Sequence, residues 1–252
     1  MTVCHTYDWN MQKKRFNGKV NIYHLLEGAK QARGTAVIID VLRAFSLECY
    51  LYSMGAGSIR PVGSIEEAFS LRDRFPGSLL AGERKGRKCN GFDYGNSPCS
   101  IDPDSVRGKL VIHTTSAGTQ GIVNAVHATE ILAGSLVNAK ATAEYLIRQQ
   151  PEEVSLVCMG NGGVAPAVED ELCAEYLQSL LTGSEPPDME RRIREMPYTG
   201  AGHFFVPETQ DVFPEQDFWL CTEYDKFDFA LKVVRDEYGF LTLKIETTEE
   251  TD

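Results

Sequence analysis

Two apolar runs in this chain each stop at a polar cluster. Val37-Ile38-Ile39 gives way to Asp40-Val41-Leu42-Arg43. Leu110-Val111-Ile112 leads through His113 to Thr114-Thr115-Ser116-Ala117-Gly118-Thr119. A helical pattern follows each run. Such strand-to-helix switches are where α/β proteins place ligands, beyond the carboxyl ends of parallel strands. Further apolar runs at 20–25, 58–62, 79–81, 130–133 and 154–158 have the length of strands. Between them lie helical faces. Leu47, Tyr50, Leu51 and Met54 share one on 44–54. Ile65, Ala68 and Phe69 follow Ser64, with Glu67 placed as in a capping box. Thr119, Ile122, Val123 and Val126 form a third. Ala139, Ala143 and Leu146 follow Asn138 as a cap, and Cys173, Tyr176, Leu177 and Leu180 line a helix over 168–181.

The pattern occurs twice. A shift of about 74 positions superposes Gly34 on Gly108, Val37 on Val111, Ile38 on Ile112 and the cap Ser64 on Asn138. Each copy reads as a βαβαβ unit. The expected fold is therefore α/β, a three-layer α/β/α arrangement of two similar βαβ-type halves, 1–107 and 108–252. A cleft is expected between them, faced by the strand ends at Asp40, Gly82, Thr114 and Gly160. A linker is expected before Gly34, a break at 184–188 and a helical turn at 189–195. Residues 229–234 and 240–245, joined by Asp236-Glu237-Tyr238-Gly239, predict a C-terminal β-hairpin. Residues 246–252 read as an acidic, frayed tail. The stretch 82–100, rich in Gly, Lys, Arg, Asn, Asp and Pro, reads as a long loop. Its interleaved Phe92 and Tyr94 argue for function rather than disorder.

Composition narrows the partners. The 252 residues are 42% hydrophobic and 24% charged, with a formal net charge of −11. A nucleic-acid surface would need a basic face, so none is expected. A small anionic substrate remains open, because a few local arginines can override the global field. Seven cysteines, an odd number without a C-x-x-C pair, argue against a zinc site or a disulfide framework and point to a reduced, cytoplasmic setting. Residues 1–16 lack the apolar core of a signal peptide, and no run approaches a membrane span. Nothing in the sequence fixes an oligomeric state, and a homo-oligomer is compatible with it.

Several residues at the strand ends can carry chemistry. Asp40 ends a buried strand, where it serves either as a cap for the next helix or as a ligand for a hard cation such as Mg²⁺. Arg43 can grip an anion bidentately. Glu83-Arg84 repeats the acid-plus-arginine pairing at the next strand end, and a surface ion pair is its plain alternative. Thr114 to Thr119 offers hydroxyls and backbone N–H groups at a helix start, which suits phosphate or carboxylate. Glu169-Asp170-Glu171 opens a helix. Acids there complement the helix dipole, but three in a row favour metal ligation at Glu169 or Asp170. Neither a Walker loop nor a dinucleotide-binding G-x-G-x-x-G is present. His113 and the cysteines receive no role.

Together these segments resemble the 2-phosphosulfolactate phosphatases. The resemblance rests on Ile39-Asp40-Val41-Leu42-Arg43-Ala44, Ala81-Gly82-Glu83-Arg84, Gly91-Phe92-Asp93-Tyr94-Gly95-Asn96-Ser97-Pro98, Thr114-Thr115 through Thr119, and Glu169-Asp170 with Cys173-Ala174. It covers roughly 34–181 and implies a Mg²⁺-dependent phosphatase of coenzyme M biosynthesis. Such an enzyme releases phosphate from 2-phospho-3-sulfolactate at a site between two similar halves. Two departures stand out. The family's Thr-Thr-Asn-Gly-Thr is one residue longer here, and the glycine turn after Cys158 is enlarged. On this reading Asp40, Glu169 and Asp170 hold Mg²⁺, Glu83 is the general base, and Asp40 has a second role as candidate nucleophile. Substrate would be bound by Arg43, Arg84, Asn96, Ser97, Thr114, Thr115, Ser116, Gly118, Thr119 and Asn138. The rival readings are a phosphatase for another small 2-phospho acid and a non-catalytic sulfonate- or phosphate-binding protein.

Overall fold

The computed structural model describes residues 16–247. The stretch inspected for a signal peptide, apart from Phe16, lies outside them, as do Cys4 and most of the expected acidic tail. Ten strands form one sheet: β1 (Lys19–His24), β2 (Thr35–Ile39), β3 (Ser58–Pro61), β4 (Leu79–Arg84), β5 (Arg87–Lys88), β6 (Leu110–Thr114), β7 (Glu130–Gly134), β8 (Glu153–Cys158), β9 (Phe229–Asp236) and β10 (Gly239–Glu246). Nine helices are found among the described residues: α1 (Leu25–Gln31), α2 (Ala44–Ser53), α3 (Ile65–Arg74), α4 (Pro103–Val106), α5 (Gly118–Asn124), α6 (Ala139–Gln149), α7 (Val168–Thr182), α8 (Met189–Thr199) and α9 (Glu215–Thr222). None is long and apolar enough to cross a membrane.

The strand order is β1-β8-β2-β7-β9-β10-β3-β6-β4-β5. It reads the same from both ends once β2 is matched with β6, β3 with β7 and β4 with β8. These are the strand pairs that the internal repeat predicts. The first strand of each copy sits among the later strands of the other, so the two copies interleave in the sheet. On each side of the hairpin the strands are parallel, β1-β8-β2-β7 and β3-β6-β4, with the short β5 antiparallel at the edge of the smaller group. The β9–β10 hairpin lies between the groups, antiparallel to β7 on one side and to β3 on the other. The hairpin was expected from its turn and alternation, and its position at the centre of the sheet is what the structure adds. Arg60 of β3 clamps it through a two-pronged ion pair with Asp236, at 2.9 and 2.5 Å. That contact pulls the Asp236 carboxyl down to about 2.

Both faces of the sheet are covered, which is why the central strands are apolar throughout. Alternate residues of β2 serve opposite layers. Val37 and Ile39 pack into the cluster that includes α6, α7 and α8. Ala36 and Ile38 pack with α1, α2 and α5. Across the hairpin, α3 covers one face of the smaller group, and α2 and α4 cover the other. The expected three-layer α/β/α class is the one observed.

Local differences have local causes. The stretch before Gly34 is not a linker but the helix α1, whose Gly28 and Ala29 are buried. The α9 helix lies in a stretch to which the sequence pattern assigned no element. Strand β4 runs on to Arg84 and turns back as β5, so part of 82–100 is a hairpin. Phe92 from that stretch is buried edge-on against Phe69. Ser64 accepts from Glu67 N, while Glu67 bonds Gly63 N rather than the cap itself. The six cysteines among the described residues are free thiols.

Candidate active site

Three carboxylates join the strand-end loops by accepting backbone N–H groups. Asp170, in the first turn of α7, accepts from Val41 N after β2 (2.9 Å) and from Gly160 N after β8 (2.7 Å). Asp40 accepts from Ala44 N at the start of α2 (3.1 Å) and from Gly118 N at the start of α5 (2.7 Å). Glu83 at the end of β4 accepts from Ser116 N and from Gly86 N, each at 2.6 Å, and from the Ser116 hydroxyl at 3.2 Å. The ends of β8, β2, β6 and β4 are thus linked in one continuous chain. Asp40, Glu83, Glu169 and Asp170 are all buried.

The two repeat copies meet inside this chain of contacts. Ala44 and Gly118 are equivalent under the internal repeat. A Cβ added to Gly118 would lie 2.8 Å from Ala44 Cβ and 2.9 Å from Asp40 Oδ2. Only a residue without a side chain lets α5 begin this close to Asp40, and that closeness delivers the Gly118 N–H to the carboxylate.

Electrostatically the cluster is strained. Among the described residues, no Lys, Arg or His forms an ion pair with Asp40, Glu83, Glu169 or Asp170. Burial pushes the Asp40 carboxyl up to about 6, and the charge of Glu83 adds to the shift. Burial pushes Glu169 up to about 7, with Asp40 adding, and the bond to it comes from its own backbone N–H. Asp170 is also raised well above the carboxylate range, by burial and then by Asp40 and Glu169. Buried like charges disfavour ionisation unless a cation offsets them. Oxygen donors with spare lone pairs and no counter-charge have the chemistry a hard divalent ion such as Mg²⁺ takes, although the oxygens of Asp40, Glu169 and Asp170 do not all lie within 4.8 Å of one another.

The predicted substrate residues separate into groups. Arg84 is half-buried, donates to Glu83 O (2.7 Å) and Thr114 Oγ1 (3.0 Å), and keeps further N–H groups. Ser116 is half-buried beside it. Thr115 and Thr119 cap each other: Thr119 N donates to Thr115 Oγ1 and Thr115 N to Thr119 Oγ1, so these hydroxyls shape the loop. Asn96 is buried, its Oδ1 3.1 Å from His113 Nε2, and His113 Nδ1 lies 2.9 Å from the buried Glu48. Ser97 turns toward Cys99. The Asn138 side chain is buried, accepting from Ser135 N and donating to Ala133 O, so it closes the turn before α6 without bonding into that helix.

Arg43 is engaged elsewhere. Its guanidinium is buried, donates to Asp217 of α9 and to Gly86 O, and lies against the rings of Phe204 and Phe213. Asp217 also accepts from Cys99 N. The residues 201–222 therefore brace the site from behind, a contribution missed in the sequence. The available signal was an acid inside the apolar pattern of Phe218, Leu220 and Cys221.

A model of the 2-phosphosulpholactate phosphatase family matches residues 20–195, which contain Asp40, Glu83, Ser116, Glu169 and Asp170. Three similar proteins each carry the name probable 2-phosphosulfolactate phosphatase. One from Carboxydothermus hydrogenoformans is 40% identical over 65% of this chain and 67% of its own length. One from Caldanaerobacter subterraneus subsp. tengcongensis is 33% identical over 78% and 86%. One from Bacillus subtilis is 29% identical over 79% and 87%. With most of its length matched, and the linked loops lying inside the match, this chain belongs to the 2-phosphosulpholactate phosphatase family.

Proposed function

We propose that this protein is a Mg²⁺-dependent phosphomonoesterase that hydrolyses 2-phospho-3-sulfolactate to sulfolactate and phosphate, in the cytoplasm, as a step of coenzyme M biosynthesis. The observation that carries the reading is the buried, uncompensated set of Asp40, Glu169 and Asp170 next to a loop of N–H and hydroxyl donors. Asp40 and Glu169 would hold the cation, with Asp170 fixing the loops around it. Bound Mg²⁺ supplies charge neutralisation at a phosphate oxygen and a more acidic water.

The protein's own groups do the rest. Arg84 lies beside the Thr114–Thr119 loop and is the substrate-facing donor, its remaining N–H groups available to phosphate or sulfonate, while Ser116 spends its N–H and its hydroxyl on Glu83 and shapes the loop. Asn96, held by His113, adds an amide at the same edge. Glu83 has both oxygens engaged by loop donors, so we assign it a positioning role ahead of general base. Arg43 is a strut rather than a clamp. Attack by water is preferred to an aspartyl intermediate, because Asp40 lacks a second aspartate two positions on and both its oxygens already accept backbone donors.

The test is a panel of small 2-phospho acids, with phospho-sulfolactate among them, assayed with Mg²⁺ and after chelation. Hydrolysis of phospho-sulfolactate that needs Mg²⁺ and disappears in Asp40→Asn is expected. Full turnover after chelation, or in Asp40→Asn, sinks the scheme. A preference for another phospho acid would move the substrate and leave the chemistry.

A further inference from the structure

We propose that His24, Cys158 and Glu171 form a second metal site, for one thiophilic divalent cation of the Zn²⁺ class, independent of the phosphatase reading. His24 ends β1 and Cys158 ends β8, and the parallel register places them opposite one another. Glu171 comes from the first turn of α7. Among the described residues this is the one group whose imidazole nitrogen, sulfur and carboxylate oxygen all lie within 4.8 Å of one another.

The donor set chooses the ion. One nitrogen, one sulfur and one oxygen suit a borderline-soft tetrahedral cation, and three protein ligands leave a fourth position for water. Mg²⁺ favours oxygen alone and is disfavoured here. An approach exists, since the His24 side chain is 51% exposed and that of Glu171 30%, while Cys158 closes the floor. His24 Nδ1 now lies 2.9 Å from Glu171 Oε1, so a cation can replace the proton shared along that contact.

Binding at sulfur exchanges one bond for another. The Cys158 Sγ–H bond breaks, its proton passes to bulk water, and a sulfur–metal bond forms with no change of oxidation state. In the metal-free protein the thiol donates to Asp170 O at 3.4 Å. Burial, with the charges of Asp170 and Glu171, holds it protonated. A dication offsets those charges. Because the displaced hydrogen bond ends on Asp170, occupancy at this site bears on a residue of the linked carboxylate chain.

The test uses Co²⁺ as a spectroscopic stand-in, titrated into the metal-free full chain in excess Mg²⁺. One equivalent is expected to produce a near-ultraviolet sulfur-to-cobalt charge-transfer band, which the carboxylate cluster cannot give. Zn²⁺ should displace it. Cys158→Ser should abolish the band. His24→Gln, a change at an exposed position that leaves folding intact, should weaken Co²⁺ binding by roughly tenfold or more. No band, a band retained in Cys158→Ser, or an affinity indifferent to His24→Gln would each overturn the proposal.

Discussion

Arg43 Nη1 donates to Asp217 Oδ2 at 2.6 Å, and both side chains are almost wholly buried. The pair joins a residue three positions after Asp40 to a helix outside the matched segment 20–195. From Arg43 the contact continues to Gly86 O, and Gly86 N returns to Glu83. Removing one partner of a buried pair leaves the other charge uncompensated. Asp217→Ala should therefore cost about 3–5 kcal/mol of stability, read from denaturant midpoints. Replacing both residues, as Arg43→Met with Asp217→Leu, should recover most of the loss. If Asp217→Ala unfolds at the wild-type midpoint, the strut has been misassigned.

Much of this arrangement was legible in the chain, for a physical reason. Strands buried on both faces must be apolar throughout, so β2 and β6 and the polar residues that end them stand out. The spacing of Gly34 and Gly108 exposed the repeat, and the strand order preserves it: both glycines adopt the left-handed backbone that favours this residue. Asp40 stands out because an acid at the end of a buried apolar run is costly, and Glu169-Asp170 because three acids in a row exceed what a helix start asks; the structure buries all three side chains. What the sequence could not show is pairing across long separations. Nothing local says that Arg43 meets Asp217, 174 positions away, or that the hairpin enters the middle of the sheet. Nor does a Thr-rich loop reveal that Thr115 and Thr119 bond each other, or that Ser116 turns both its N–H and its hydroxyl to Glu83.

Gly118 tests the meeting of the two repeat copies. Its missing Cβ leaves the space in which Asp40 and Ala44 sit, so Gly118→Ala must push the start of α5 away from the Asp40 carboxylate. The N–H to Asp40 bond then lengthens. We expect a loss of stability of roughly 1–3 kcal/mol from overpacking, together with a fall in phosphatase kcat/KM of about tenfold or more, corresponding to about 1.4 kcal/mol. Measured kinetics equal to wild type would show that Asp40 does not depend on that contact.

The raised carboxyls set a pH dependence whose sign follows from linkage. Asp40 at about 6 and Glu169 at about 7 bind protons more tightly in the folded chain than in the unfolded one. Their contribution to stability is fully present below about pH 4 and is lost as pH rises through 6 to 7. In metal-free protein the Glu169→Gln variant should therefore gain most over wild type at pH 8 and little at pH 5. Added Mg²⁺ acts in the opposite sense, because it binds the ionised form. Its stabilisation of wild type should be larger at pH 8 than at pH 5. Thermal unfolding at the two pH values, with and without Mg²⁺, reads both effects, and a Mg²⁺ shift independent of pH would remove these carboxylates from the metal site.

Glu83 separates positioning from proton transfer. Its Oε1 takes Ser116 N, and its Oε2 takes Gly86 N and the Ser116 hydroxyl. In Glu83→Gln an amide NH₂ must face at least one of those donors, leaving a buried N–H unpaired at a cost of about 1–3 kcal/mol. The loop that carries Ser116 would then part from the β4–β5 turn. Donors displaced by about 1 Å lose roughly a hundredfold in rate, and the same displacement weakens substrate binding, so kcat should fall while KM rises. A residue acting only as general base predicts a different result: kcat falls, KM holds, and the acid limb of the kcat/KM profile vanishes. That second pattern would restore Glu83 as the base. The first would place it with Asp40 and Asp170, whose carboxylates also hold the loops by gripping backbone N–H groups from both sides.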